Sequence, residues 1–286
     1  MNACRFLIPC LFICLTATLP GATRIVAWNI EWFPGRQPID VTAEMETAHT
    51  TLVQSLLGQM NPSLLLCSEI RDWRAFDRAV SQVPNLKVCV VSAFRDRDFG
   101  VLWTQQLAIA SRLPVVAAWA ESFRPTLTSM TRGFALAVIE APGQPDKVWL
   151  LYSVHLKSNR ASNEHQAQLN YRLRNESVRQ LLAHAEEMEQ LVFRDRVAAI
   201  IVGGDFNTNH DNQFGDEVIH SMVRAGFHNT WDGVPRAERL TWRGSDQFEP
   251  TTFDYIFTKG LPKLTAKMIE VPPEASDHHP VLLEIP

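Results

Sequence analysis

The sequence predicts an α/β protein built as a sandwich of two sheets with helices on its outer faces. Three observations lead there. Short apolar, β-prone runs bounded by turn residues recur nine times, only three segments carry a helical period, and no repeat, low-complexity tract or Pro/Gly/Ser-rich linker interrupts residues 23–286. Strands interspersed with helices bury their sheets under those helices, and many strands with few long helices favour two stacked sheets over one doubly wound sheet. At 286 residues and 46% hydrophobic, the chain can bury the large core this needs, and residues 23–286 are expected to form one domain.

The expected strands are residues 24–28, 64–67, 86–91, 107–110, 133–139, 148–154, 198–202, 253–257 and 280–285, each a short apolar run. The first expected helix, 44–60, carries Ala48, Leu52, Leu56 and Met60 at four-residue spacing and stops before Pro62. The second, 163–192, is long and mostly polar, with Leu169, Leu173, Leu181, Met188 and Leu191 as its apolar stripe. The third, 213–225, ends at Gly226, a residue suited to a C-cap.

Residues 1–22 read as a signal peptide. Arg5 precedes an apolar run, 6–15, that is followed by small residues up to Ala22. That run falls short of the roughly 20 residues needed to span a bilayer. An exported protein, periplasmic or extracellular, is therefore expected. Without the leader there remain 26 basic residues against 31 acids, a net charge of −5. That excludes a broadly basic nucleic-acid binder but not a local basic cleft. Cys4, Cys10 and Cys14 leave with the leader, and Cys67 and Cys89 either pair or stay as free thiols. No cysteine spacing suggests zinc.

Six polar islands sit at strand ends: Asn29 with Glu31; Ser68-Glu69; Ser153 to Ser158, containing His155 and Lys157; Gly203-Gly204-Asp205-Phe206-Asn207; Asp254 between Phe253 and Tyr255; and Ser276-Asp277-His278-His279-Pro280. Each alone has a bland explanation as a solvated loop or a tight turn. Together, at the strand ends where sites accumulate, they suggest a hard-metal, phosphate-ester site.

These segments, GDFN and SDHHP above all and WNIE and SEI less specifically, resemble the endonuclease/exonuclease/phosphatase superfamily with its deoxyribonuclease I-like fold. The matching pieces run from residue 24 to 284. The resemblance implies a four-layer α/β/β/α sandwich of two mostly antiparallel sheets, with the site at one edge, and a metal-dependent phosphoesterase activity.

Mg²⁺ takes oxygen ligands and keeps several waters, so one or two carboxylates suffice; Mn²⁺ or Ca²⁺ are the alternatives. Glu69 is the first choice of ligand, helped by Asn29 and Asp277. Glu31, two residues after Asn29, is expected on the same strand face and could add to that site or to a second one. Asp205 would orient or deprotonate the attacking water, with Asn207 on the same side of an extended segment. His278 would contact the phosphate and His155 would be a second donor. Asp254 resembles the family's histidine-orienting aspartate and would hold either histidine. Arg132 falls where family members place a phosphate-contacting arginine; Lys157 and Asn159 are further phosphate-binding candidates. His279 and Tyr255 are expected to be structural, and His165, His184, His210, His220 and His228 are given no role.

The shared core does not fix the substrate. A secreted nuclease acting on DNA or RNA is favoured by the HLKS-N stretch and by basic residues near it: Lys157, Arg160, Arg172, Arg174 and Arg179. The helix arginines could equally be a solvated face paired with Glu164, Glu176 and Glu186. A sphingomyelinase or phospholipase C would need an exposed apolar loop, for which Trp231, Trp242 and Phe248 are candidates. No lysine-rich inositol-phosphate pocket stands out. A non-catalytic binding protein on this fold is the remaining class, and no obligate protein partner is inferred.

Overall fold

The computed structural model describes residues 21–37, 39–95, 100, 102, 105–126, 132–211 and 214–286. The expected signal peptide therefore lies outside the described residues, apart from Gly21 and Ala22.

Two six-stranded sheets are stacked. The first contains β1 (Thr23–Phe33), β2 (Leu64–Ile70), β3 (Lys87–Val91), β4 (Gln106–Ser111), β11 (Lys267–Met268) and β12 (Val281–Ile285), in the order β11-β12-β1-β2-β4-β3. The second contains β5 (Val115–Ser122), β6 (Gly133–Ala141), β7 (Gln144–His155), β8 (Val197–Asp205), β9 (His228–Asn229) and β10 (Asp254–Lys259), in the order β5-β6-β7-β8-β10-β9. Each sheet has one parallel pair, β1–β2 and β7–β8; the other neighbours are antiparallel. The helices are α1 (Ala43–Met60), α2 (Trp73–Val80), α3 (Glu164–Glu187) and α4 (Val218–Arg224).

The two-residue period of a strand sorts the core. In β1, Ile25 and Ala27 face the second sheet, whereas Val26, Trp28 and Ile30 pack with Val53 and Leu57 of α1 and Phe76 of α2. On the far side, Val178 and Leu181 of α3 join the core that contains Tyr152 and Leu151. The sheets approach closely at Gly203, where an added Cβ would lie 2.8 Å from Leu66 Cδ1 and 3.3 Å from Ala27 Cβ.

All nine expected strands are present. β5, the two-residue strands β9 and β11, and α2 are additions to the expected set, and the third expected helix, 213–225, narrows to α4. The α1 stripe is also displaced: His49, Thr50, Val53, Leu57 and Met60 are buried, while Ala48 is exposed. The expected helix 163–192 stops being α-helical at Glu187, and a π turn (Met188–Val192) leaves Leu191 65% exposed. Cys67 and Cys89 are both free. Burial pushes the Cys89 thiol up to about 12.

His49 is a buried polar residue to which the sequence alone assigns no role. Its Nδ1 accepts from Gly35 N at 3.0 Å, so its Nε2–H donates to Ala275 O at 2.8 Å and the ring is neutral. Burial holds its pKa down to about 4 from 6.5. Below pH 6.5 the unfolded chain takes up the proton first, so stability is expected to fall as pH drops from 6.5 to about 4, by up to about 3 kcal/mol from this group. His49→Asn keeps an acceptor for Gly35. Its denaturant midpoint should lose less than wild type's between pH 7 and pH 4.5; equal losses would refute the assignment.

Candidate active site

The C-terminal ends of the two parallel pairs meet at one edge of the sandwich. β1 and β2 bring Asn29 and Glu69, and β7 and β8 bring His155 and Asp205. His155 is the register partner of Asp205 across β7–β8, and Asp205 that of Asp254 across β8–β10. This register requires Gly204. Its φ is +138°, and a Cβ there would sit 2.1 Å from Val154 O. A glycine is what lets the end of β8 close on β7.

β1 and β2 both break register beside the site, between Asn29 and Phe33 and between Cys67 and Ile70. Glu31, Trp32 and Glu69 take positive φ values of 37°, 48° and 61°. Left-handed backbone at such residues costs of order 1–3 kcal/mol each and gathers at functional sites. The site's own side chains hold the bulge: Glu31 N donates to Asn29 Oδ1 at 3.1 Å and Trp32 N to Glu69 Oε2 at 3.0 Å.

Asp205 Oδ2 is the hub. Asn29 Nδ2 donates to it at 3.1 Å and to Glu69 Oε1 at 3.3 Å, so one amide bridges carboxylates from opposite sheets. His155 Nε2 lies 3.4 Å from Asp205 Oδ2 and 3.8 Å from Glu69 Oε1. Burial, reinforced by the Arg132, His278 and Lys157 cations, keeps the His155 pKa well below 6.5, so the ring is neutral. Burial pushes Asp205 up to about 7; Asp254 adds to this, while His278 opposes it.

His278 Nδ1–H donates to Asp254 Oδ2 at 2.7 Å, which answers the open question of which histidine Asp254 holds. Burial disfavours the imidazolium, but the Asp254 carboxylate overrides it and holds the His278 pKa well above 6.5. Backbone bonds fix the pair. Asp254 N and Phe253 N donate to Thr241 Oγ1, and Trp28 Nε1 donates to His278 O at 3.1 Å. His278 Nε2 makes no hydrogen bond to any described residue; its nearest carboxylate oxygens are Asp205 Oδ2 at 3.9 Å and Asp277 Oδ1 at 4.0 Å. A charged N–H is thus left free to meet an anion.

Several expected placements change. Glu31 does not join Glu69. The bulge turns its carboxylate to Arg36, at 3.0 and 2.7 Å, and to Asp277 N at 2.9 Å, so it latches β1 to the His278 loop. Asp277 is held on that side too, its Oδ2 accepting from Trp242 Nε1 at 3.2 Å. The segment after Asp205 is not extended: Asn207 has φ 49°, its N–H turns back to Asp205 Oδ1 at 2.8 Å, and its Nδ2 donates to Leu156 O at 3.2 Å. Arg132 donates to Leu156 O at 2.9 Å, to His155 O at 3.4 Å and to Gln105 Oε1, so it grips backbone where a phosphate contact was expected. Asn159 Nδ2 donates to Asn207 O at 2.6 Å, leaving its buried Oδ1 without a partner. Lys157 makes no ion pair with a described residue, and burial lowers its pKa. Arg174 is buried against Asp216, whereas Arg179 pairs with Glu176 on the solvated face. Trp231 is core. His279 is structural, its Nδ1 accepting from Val271 N at 3.2 Å.

The residues present fit a hard divalent cation. Glu69 is 9% exposed and has no lysine or arginine partner among the described residues; its oxygens are met only by amide N–H groups and the neutral His155. A buried carboxylate so placed calls for a cation, and the carboxylate oxygens of Glu69 and Asp205 suit Mg²⁺ or Mn²⁺. Asn29, expected as a ligand, turns its Nδ2 to both carboxylates and its Oδ1 to Glu31 N, so it orients them instead. A second grouping, Asp205, Asp254 and His278, also brings ligand atoms within 4.8 Å of one another. There the protonated His278 offers donors and no lone pair, so this trio suits an anion-facing role better than a ligand set.

Fold and site together define a phosphoesterase architecture. The chain belongs to the endonuclease/exonuclease/phosphatase family, whose model matches residues 26–278. Solved structures share the fold. An endonuclease/exonuclease/phosphatase from Beutenbergia cavernae superposes with a TM-score of 0.66 at 14% identity, over 93% of this chain and 72% of that one. TDP2 from Caenorhabditis elegans gives 0.63 at 14% identity, over 92% and 75%. SmcL gives 0.68 at 15% identity, over 94% and 100%. At these identities the likeness is one of fold. No curated protein matches the sequence.

Proposed function

We propose that this protein is an exported, divalent-metal-dependent phosphodiesterase that cuts nucleic acid. The observation that carries the phosphodiesterase reading is the convergence of Asn29, Glu69, His155 and His278 on Asp205, a carboxyl poised near neutrality beside a charged, unengaged imidazolium N–H. A phosphodiester resists attack because it is anionic. Hydrolysis needs positive charge on its oxygens and a base for the water.

A cation held by Glu69 and Asp205 would supply Lewis-acid polarisation of the phosphoryl oxygens. The chain's own residues do the rest. Asp205 accepts the proton of the attacking water, and Asn29 fixes the direction of its Oδ2 lone pairs. His278 Nε2–H binds the developing negative charge, with Asp254 keeping the proton on the ring. Neutral His155 directs Nε2–H at Asp205 and Glu69. Lys157, without an ion-pair partner among the described residues, meets a flanking phosphate.

Nucleic acid is favoured over lipid by the rim. Trp242 and Phe214 flank Phe253 in a stack of rings, at 5.4 and 6.1 Å between centroids, a surface on which a base can stack. The neighbouring hairpin tip exposes a single large apolar side chain, Phe248, between Asp246 and Glu249. The 62% exposure of Phe248 is the observation that supports the second reading, a lipid-headgroup phosphodiesterase.

Residues 23–286 should nick plasmid DNA or degrade RNA with Mg²⁺ or Mn²⁺. EDTA should abolish this and added metal restore it, with sphingomyelin and an inositol polyphosphate left intact. Metal-dependent cleavage of sphingomyelin alone would move the assignment to the second reading.

A further inference from the structure

We propose that Arg174, on α3 and remote from solvent, is a positioning residue that holds the His155 and Asp205 loops in register with each other. The proposal rests on the phosphodiesterase reading of the site. Arg174 is 0% exposed and the Asp216 side chain 1%. Its Nε and Nη2 donate to Asp216 Oδ2 at 2.9 and 2.7 Å, and its Nη1 donates to Lys157 O at 3.0 Å. Asp216 Oδ1 in turn accepts from Thr208 Oγ1. One buried ion pair therefore ties the segment two residues beyond His155 to the segment three residues beyond Asp205.

The other side of the His155 loop is held in the same way. Arg132 Nη1 reaches His155 O and Leu156 O. Three consecutive carbonyls, 155 to 157, are thus gripped by two guanidinium groups. A rigid planar fork suits this task, because its donors are fixed relative to one another; a lysine ammonium does not hold two directions at once. The β7–β8 register brings His155 Nε2 to 3.4 Å from Asp205 Oδ2, and the clamp acts on the carbonyls from His155 onward, where the chain leaves β7. Arg132 and Arg174 both add to the depression of the Lys157 ammonium, which places the two guanidiniums beside this loop. A purely stabilising ion pair would need only Asp216. The bond to Lys157 O makes the pair a link between the two catalytic loops.

Removing one partner alone leaves an unpaired buried charge, so two milder changes test the idea. Arg174→Lys keeps the charge and loses the fork; Arg174→Met with Asp216→Asn removes both charges and leaves an oxygen for Thr208. Hydrolysis of bis(p-nitrophenyl) phosphate with Mn²⁺ gives kcat and KM. Hydrogen–deuterium exchange without substrate reports the loops directly. In Arg174→Lys, kcat should fall about 10- to 100-fold, the scale on which small misplacements of reacting groups act. KM should stay within about two-fold, since Arg174 does not reach substrate. Residues 155–160 and 205–209 should exchange faster together while β1 and β2 keep their protection. In a His155→Ala background the same change should cost about three-fold or less, because the group it positions is gone. Wild-type kcat with unaltered loop protection in both variants overturns the proposal, as does an undiminished penalty in the His155→Ala background. A wild-type protein inert on every phosphodiester, with both loops loosened in the variants, sinks the phosphodiesterase reading and leaves the positioning role standing.

Discussion

Asp205→Asn should reduce kcat by about 10²–10⁴, the range that general acid–base catalysis contributes, while raising the stability of the metal-free protein. Both effects follow from one placement. Asp205 is 1% exposed, faces Glu69 across the Asn29 amide, and lies beside Asp254, so its ionisation is opposed by burial and by a second carboxylate. Its pKa near 7 is above the unfolded value, so the folded state binds the proton more tightly. Stability is therefore lost as pH rises from the unfolded value through about 7. The asparagine keeps the shape without the charge, and its gain over wild type should be larger at pH 8 than at pH 5, read from denaturant midpoints in EDTA. The activity limb runs the other way. The base form disappears as pH falls through the same value, and a cation at Glu69 should shift that limb to lower pH as its concentration rises. A variant with wild-type kcat removes Asp205 from the chemistry. A variant no more stable than wild type at pH 8 would mean that the carboxyl is not strained in the folded protein.

Much of this was legible in the chain because strand ends announce themselves. The runs ending at Asn29, Glu69, His155 and Asp205 are mostly apolar, broken only by small residues such as Ser68 and Ser153, and such a run followed by a carboxyl or imidazole marks a strand delivering chemistry to an edge. Gly203-Gly204, which alone reads as a tight turn, lies inside β8. Its actual reason, a backbone-to-backbone approach at Val154 O, depends on a neighbour about 50 residues away. The misses have a common cause. Glu31 shares the two-residue period with Asn29 and would share its face in a regular strand, but the β1 bulge rotates it away to Arg36. Asn207 would do likewise beside Asp205 were its φ not positive. Local periodicity holds only while the backbone is regular, and the site sits where it ceases to be. Arg132 was read as a phosphate contact and Arg174 only as charge. Their donors point to carbonyls chosen by loop packing, which no spacing along the chain encodes. β5 carries an apolar run, VVAAWA, but it is alanine-rich and lies half-exposed at the edge of its sheet, and α2 was missed because its two turns follow directly on β2.

Asp254→Asn should lower the rate at pH 8 by about 10²–10³, as loss of a preorganised charge stabiliser does, and its activity should then recover in part on acidification. His278 is buried, and burial alone would hold it neutral; the Asp254 carboxylate, 2.7 Å from Nδ1, is the main group that keeps it protonated through neutral pH, with Asp205 and Asp277 adding to it. Asparagine still accepts the Nδ1–H bond, so the ring stays in place, but the charge that fixed the proton is gone and the pKa drops. The imidazolium fraction then grows as pH falls. The ratio of variant to wild-type kcat should rise between pH 8 and pH 5.5, whereas His278→Ala should show no such rise. The double variant should be no slower than His278→Ala alone, since Asp254 acts through the ring. A pH-independent ratio for Asp254→Asn would place the aspartate in a structural role. A double variant much slower than His278→Ala would give Asp254 a function of its own, for which its unpartnered Oδ1 is the atom available.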